Sequence, residues 1–115
     1  MIVDVPVSRV HDWPSFHDVF AQTLGFADYY GRNKNAFTDI LQYPQAHDVE
    51  VDVPPGGTLV LRLDEDAQHF QRRCPEQCRF LFEAAASLTE GAIQALTQPG
   101  LEGAAFVAIA FVWSD

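Results

Sequence analysis

Along the chain, apolar residues fall into short blocks whose spacing alternates between strand-like and helix-like. "IVDVPV" (2–7) reads as a short strand, and Pro6, which lacks a backbone donor, suits an edge or a strand end. In "SFHDVFAQTLG", Phe16, Val19, Phe20 and Thr23 or Leu24 follow helical spacing. Ser15 with Asp18 approximates a capping box there, and Gly25 is the stop. A second helix starts near Asn33, a good N-cap, and ends near Leu41 or Gln42, before Pro44. "YPQAHDVEVDVPPGG" (43–57) reads as a loop with a short extended piece at Val49–Val53. "TLVLRL" (58–63) is a strand, and "DED" (64–66) supplies the cap and acidic first turn of a short helix through about Arg72. Pro75 suits the first turn of the next helix, which runs to about Leu96 unless Gly91 or the Ser87–Thr89 stretch divides it. After a turn, "QPGLEG" (98–103), "AFVAIAFVW" (105–113) forms a last strand, apolar on both faces as a buried parallel strand would be.

Strands separated by helical segments predict an α/β fold with a parallel sheet covered by helices. The 115 residues have the length of one ordinary domain, taken as 1–115, and 48% apolar content argues against disorder. No apolar window reaches the length of a membrane span. The start "MIVDVPVSRV" lacks the basic region of a secretory signal, so a cytoplasmic monomer away from membranes is expected.

Charge narrows the partners. Sixteen acidic residues against seven Lys and Arg give −9, which disfavours nucleic acid, whose phosphates need a cationic footprint. The same field attracts a basic protein and speeds the encounter. Cys74 and Cys78 read as reduced, packed thiols. Their i, i+4 spacing puts them on one helix face with His69 near, but a zinc site needs four good ligands. His11, His17, His47 and His69 stand in no catalytic spacing, and no phosphate loop, nucleophile elbow or HExxH is present. Alternate positions of "HDVEVD" (47–52) could gather a cation, but the segment reads as a solvated acidic loop. No enzyme, metal or cofactor is expected.

The stretch "DYYGRNKNAFTDIL" (28–41) is the most informative. On a helical wheel Ala36, Phe37, Ile40 and Leu41 share one sector, and Asn35, Thr38, Asp39 and Gln42 the opposite one. Tyr29 and Tyr30 precede this helix, with Gly31 in a turn. Two arrangements suit them: a tyrosine exposed beside the polar strip as an interface anchor, or a buried pair packing helix on helix.

"LGFADYYGRNKNAFTDIL" resembles the signature of the barstar family, intracellular protein inhibitors of secreted microbial ribonucleases. The family pattern is aromatic–aromatic–glycine–x–asparagine, two residues, alanine, a large apolar residue, one residue, aspartate and an apolar pair. It is met by Tyr29, Tyr30, Gly31, Asn33, Ala36, Phe37, Asp39, Ile40 and Leu41. "FHDVFAQTLGF" is similar to the family's first helix and "GTLVLRL" to its second strand. The resemblance implies a small three-stranded parallel sheet packed against helices. It also implies that the second helix and the loop before it plug the active site of a basic ribonuclease or ribonuclease toxin. Asp39 would take the place of an RNA phosphate, Tyr29 would stack at the mouth of the site, Tyr30, Gly31 and Asn33 would shape the docking loop, and Asn35 and Thr38 would touch the rim. The chain departs from the family's best-known member at Asn35 and Thr38, which replace an acid and a tryptophan, and at Arg32 and Lys34, which add positive charge. These changes point to a different cognate nuclease, or to a scaffold that serves as an interaction module for a non-ribonuclease partner.

Overall fold

The computed structural model describes residues 1–42, 49, 50, 53, 57–97 and 106–112, with backbone only at 92–97 and 112. Its elements run β1 (Ile2–Val5), α1 (Trp13–Leu24), α2 (Lys34–Gln42), β2 (Thr58–Asp66), α3 (Ala67–Arg73), α4 (Pro75–Thr97) and β3 (Phe106–Val112). The three strands form a parallel sheet in the order β1-β2-β3. Parallel neighbours require crossovers, and the helices supply them: α1 and α2 between the first two strands, α3 and α4 between the second and third. The predicted α/β class and three-stranded parallel sheet are therefore what the chain adopts.

Strand alternation divides the sheet into two unlike faces. Val5, Leu59, Leu61, Leu63 and Val107 are buried in one core with the helices. Across the register Ile2–Val60–Ala108 and Asp4–Arg62–Ala110, the opposite face carries Ile2, 60% exposed, and an ion pair in which the Arg62 guanidinium donates to both Asp4 oxygens at 2.6 and 3.1 Å. That hydrogen bond holds the Asp4 carboxyl below the ordinary carboxylate range. On the buried side Phe16 and Phe20 of α1, Phe37 of α2 and Phe80 of α4 meet ring to ring, with centroids 4.8–5.8 Å apart. This quartet fixes α2 against its neighbours.

Several boundaries differ from expectation. The first strand ends at Val5, and Val7–Arg9 forms a 3-10 turn, since Pro6 cannot extend the ladder and Val7 and Val10 turn into the core. Helix α1 begins at Trp13, and its cap is Asp12, not Ser15. The Asp12 carboxylate accepts the Ser15 N–H at 2.9 Å, and Ser15 Oγ accepts the Asp12 N–H at 3.0 Å. Ser15 is therefore the reciprocal member of the box, with Pro14 in the first turn. Strand β2 continues through Asp66, so only that residue caps α3. Asp64 instead accepts the Ser8 N–H and hydroxyl at 3.1 and 2.9 Å. Glu65 binds the Arg73 guanidinium, which also donates to the carbonyls of Val7 and Val10. Helix α4 is unbroken through Gly91, whose surroundings are open. Finally, β3 is an edge strand with Val107 buried and Ala108 exposed, not the fully covered strand its apolar run predicts. Phe111 instead stacks on Phe82 of α4 at 4.1 Å.

The stop of α1 is as predicted. Gly25 takes a left-handed conformation, φ 66°, and a Cβ there would lie 2.6 Å from the Glu50 side chain. The Glu50 N–H donates to the carbonyls of Leu24 and Gly25, which brings this part of the following loop onto the helix end. The rest of the predicted 43–57 loop, apart from Val49, Val53 and Gly57, lies outside the described residues, as does the 98–103 turn.

Candidate functional site

Between α1 and α2 the chain makes a compact turn. The Phe26 N–H donates to Ala21 and the Tyr30 N–H to Ala27. The two tyrosines then part company. Tyr29 is 72% exposed, whereas Tyr30 is 9% exposed and packs edge-on against Phe26 at 4.7 Å. Its hydroxyl meets Nδ1 of buried His17 at 2.5 Å. Each of the two arrangements read from the sequence holds for one tyrosine. With the imidazole proton on Nε2, Nδ1 accepts from the phenol, which burial keeps protonated by raising its pKa. His17 thus supports the turn from beneath and presents no nucleophile or base to solvent.

Asn33 begins α2 as predicted: its Oδ1 accepts the Ala36 N–H at 2.8 Å. Its amide Nδ2 reaches back to the Gly31 carbonyl at 3.3 Å. A Cβ on residue 31 would sit 3.1 Å from that nitrogen and 3.4 Å from Ala36 Cβ, so glycine lets the Asn33 side chain lie over the turn. The wheel reading holds as well. Phe37, Ile40 and Leu41 are buried, while Asn35, Asp39 and Gln42 are exposed and Thr38 is half-buried. Thr38 Oγ1 donates to the Lys34 carbonyl at 3.1 Å, which leaves its lone pairs free for a partner's donor. Asp39 has no hydrogen bond or ion pair among the described residues.

Tyr29, Gly31, Asn33, Asn35 and Asp39 are each exposed along the turn and α2, which together make up the ridge, while Thr38 is half-buried and Tyr30 is buried beneath the turn. Sequence reasoning missed the residues of α1 that hold this ridge: Trp13, Pro14, His17 and Asp18. Arg32 takes φ 54°, and its guanidinium turns onto α1, meeting Asp18 at 2.8 Å and the Pro14 carbonyl at 3.1 Å. Lys34 Nζ lies 5.0 Å from the centroid of the Trp13 ring and 5.9 Å from that of Phe80. The indole N–H in turn donates to Glu76 at 3.3 Å. The only sequence signal for these contacts is an acid and an aromatic on the first helix, which periodicity cannot pair with residues some twenty positions later.

The site offers contact chemistry. Among the described residues no group of three or more His, Cys, Asp or Glu side chains could hold a metal ion. His69 pairs with Glu65 at 3.1 Å. Cys74 and Cys78 are buried free thiols, and burial pushes the Cys78 thiol up, away from reactivity. His47, Asp48 and Asp52 of the acidic loop lie outside the described residues. No helix of the described residues is long and apolar enough to cross a membrane.

The burial of His17 gives the turn a pH dependence. Burial first, then the Arg32 charge, holds His17 below its ordinary value of 6.5, against an opposing pull from Asp18. The unfolded chain therefore binds a proton more readily than the folded one. Stability from this group is complete above about pH 6.5 and is lost as pH falls toward the lower folded value. The urea midpoint of wild type is expected to drop between about pH 7 and 5, and that of His17→Gln to drop less. Equal drops in the two proteins would place the effect elsewhere.

The profile of a protein family described as Barstar (barnase inhibitor) matches residues 1–101. No curated protein matches the chain. The family is one of inhibitors, not of catalysts. A match from β1 to beyond the end of α4, together with the three-stranded parallel sheet, places this chain in the barstar family.

Proposed function

We propose that residues 1–115 act as a single domain that inhibits a basic ribonuclease by seating α2 and the preceding turn in its active site. The observation that carries this reading is the exposed carboxylate of Asp39, without a partner among the described residues, on the helix that follows the exposed Tyr29 ring. An Arg, Lys or His that grips RNA phosphate would find in Asp39 an exposed anion with no partner among the described residues, and charge-assisted hydrogen bonds are the strong kind. Tyr29 adds a large apolar surface with few rotatable bonds, the Asn35 amide and Thr38 oxygen meet polar groups at the rim, and Tyr30, Gly31 and Asn33 hold the ridge in shape. Chemistry is absent from this mechanism: RNA is excluded because the cleft is occupied. The protein works as a cytoplasmic monomer without metal or cofactor, an immunity protein for a ribonuclease made by its own cell.

An inhibition titration tests the reading. A basic barnase-type ribonuclease cleaves a fluorogenic RNA while the protein is added, and activity is expected to vanish at one-to-one stoichiometry. Full activity at a large molar excess would count against it. Asn35 and Thr38, which make the strip less acidic and less aromatic, together with Arg32 and Lys34, favour a second reading in which the same ridge binds a protein without nuclease activity. Recovery of only such a partner from the native cell would select that reading.

A further inference from the structure

The segment that should meet a basic partner is formally neutral. Between Asp28 and Gln42 the only charged residues are two carboxylates, Asp28 and Asp39, and two cations, Arg32 and Lys34. The net charge of −9 therefore lies elsewhere on the molecule, and the sign of the ridge depends on where these four side chains point. Asp28 and Asp39 are exposed and have no partner among the described residues. Both cations are turned away. Arg32 has two anchors on α1, the Asp18 carboxylate and the Pro14 carbonyl. Lys34 leaves α2 about 140° around the helix from Asp39, five residues on, and lies over the Trp13 ring.

We infer that Asp18 and Trp13 are positioning residues that hold Arg32 and Lys34 against α1, so that a segment of zero formal charge presents a negative ridge. Each tether is weak as a contributor to stability, because exposed ion pairs and exposed cation–π contacts are screened and entropically costly. Orientation is a different matter. A cation that swings some 10 Å toward Asp39 comes within a Debye length of it and cancels the field that a cationic partner would meet. Asp18 and Trp13 would thus set the association rate and selectivity for a basic partner without touching it. The biological use of this device rests on the docking function proposed above, whereas the charge map can be read on the free protein.

Paired nitroxide cosolutes, one cationic and one anionic, enhance the relaxation of backbone amide protons, and the ratio of the two enhancements reports the local potential at each residue. The amides of Asn35–Asp39 in wild type are expected to favour the cationic probe. Two double-mutant cycles then isolate the tethers. Lys34→Gln should change the ratio little in the wild-type background and by roughly twofold when Trp13→Leu has released the lysine. Arg32→Gln should likewise matter little beside Asp18 and much in the Asp18→Asn background. Trp13→Phe, which keeps an aromatic face, should restore the wild-type pattern. Equal effects of each cation removal in both backgrounds would overturn the inference. If Trp13→Leu fails to fold, the surface pair Asp18–Arg32 decides the matter alone. Failure of the inhibition titration would remove the proposed function and leave this map standing. A flat pair of cycles would remove the tethers and leave inhibition untouched.

Discussion

Replacing Asp39 by alanine is expected to weaken binding to a basic ribonuclease by about 3–5 kcal/mol, two to three and a half orders of magnitude in Kd, with the unfolding free energy changed by no more than about 0.5 kcal/mol. The size follows from what the substitution leaves behind. In the proposed complex Asp39 is opposed by a cation that has lost its water. Removing the carboxylate strands that cation in a dry site, which costs more than the pair itself contributes. The loss should appear mainly as faster dissociation, since one charge among many changes the encounter only modestly. Stability is spared because the side chain is exposed and has no partner among the described residues. Surface plasmon resonance or stopped-flow kinetics on a confirmed complex, alongside urea unfolding, checks both halves. Kinetics unchanged from wild type would remove Asp39 from the interface.

The second large effect is expected at Phe37, on the opposite side of the same helix. Phe37→Ala should cost about 3–5 kcal/mol of folding free energy, a large fraction of the roughly 5–15 kcal/mol available to a domain of this size. The ring is fully buried and touches Phe16, Phe20, Phe26 and Phe80, so its removal opens a cavity where α1, α2 and α4 meet. The midpoint of urea unfolding should fall by more than about 1 M, and Phe37→Leu should fall less. If Phe37→Ala unfolded at the wild-type midpoint, the aromatic quartet would not be what holds α2 in place. The two substitutions are only two residues apart and should separate cleanly, one lowering affinity alone and the other stability first.

How much of this was legible in the sequence depends on the range of the interaction. Asn33 as a cap, Gly25 as a stop, Pro75 as a helix start and the buried Phe37–Ile40–Leu41 face are set within one or two helical turns, and local pattern reads them correctly. A parallel sheet follows from strands separated by helices, and its three strands are what the family resemblance implies. What local pattern could not supply are decisions taken by distant partners. Tyr30 rather than Tyr29 is buried because His17 waits beneath it, thirteen residues earlier. Asp64 and Glu65 stay in β2 because Ser8 and Arg73 claim their carboxylates. The positive charge of Arg32 and Lys34 was visible, but the direction of both side chains is set by α1. The exposure of Ala108 follows from which face of the sheet the helices cover, about which the apolar run itself is silent.

The placement of β1 has a consequence for synthesis. Among the described residues this strand pairs only with β2, residue 2 beside residue 60, and α2 packs on Phe80 of α4. When the ribosome has made the segment from Tyr29 to Asp39, neither the central strand nor the helix it rests on exists. The ridge is therefore complete only after most of the chain has been translated. A cell that makes a nuclease and this protein together would gain its protection from finished molecules, not from nascent ones.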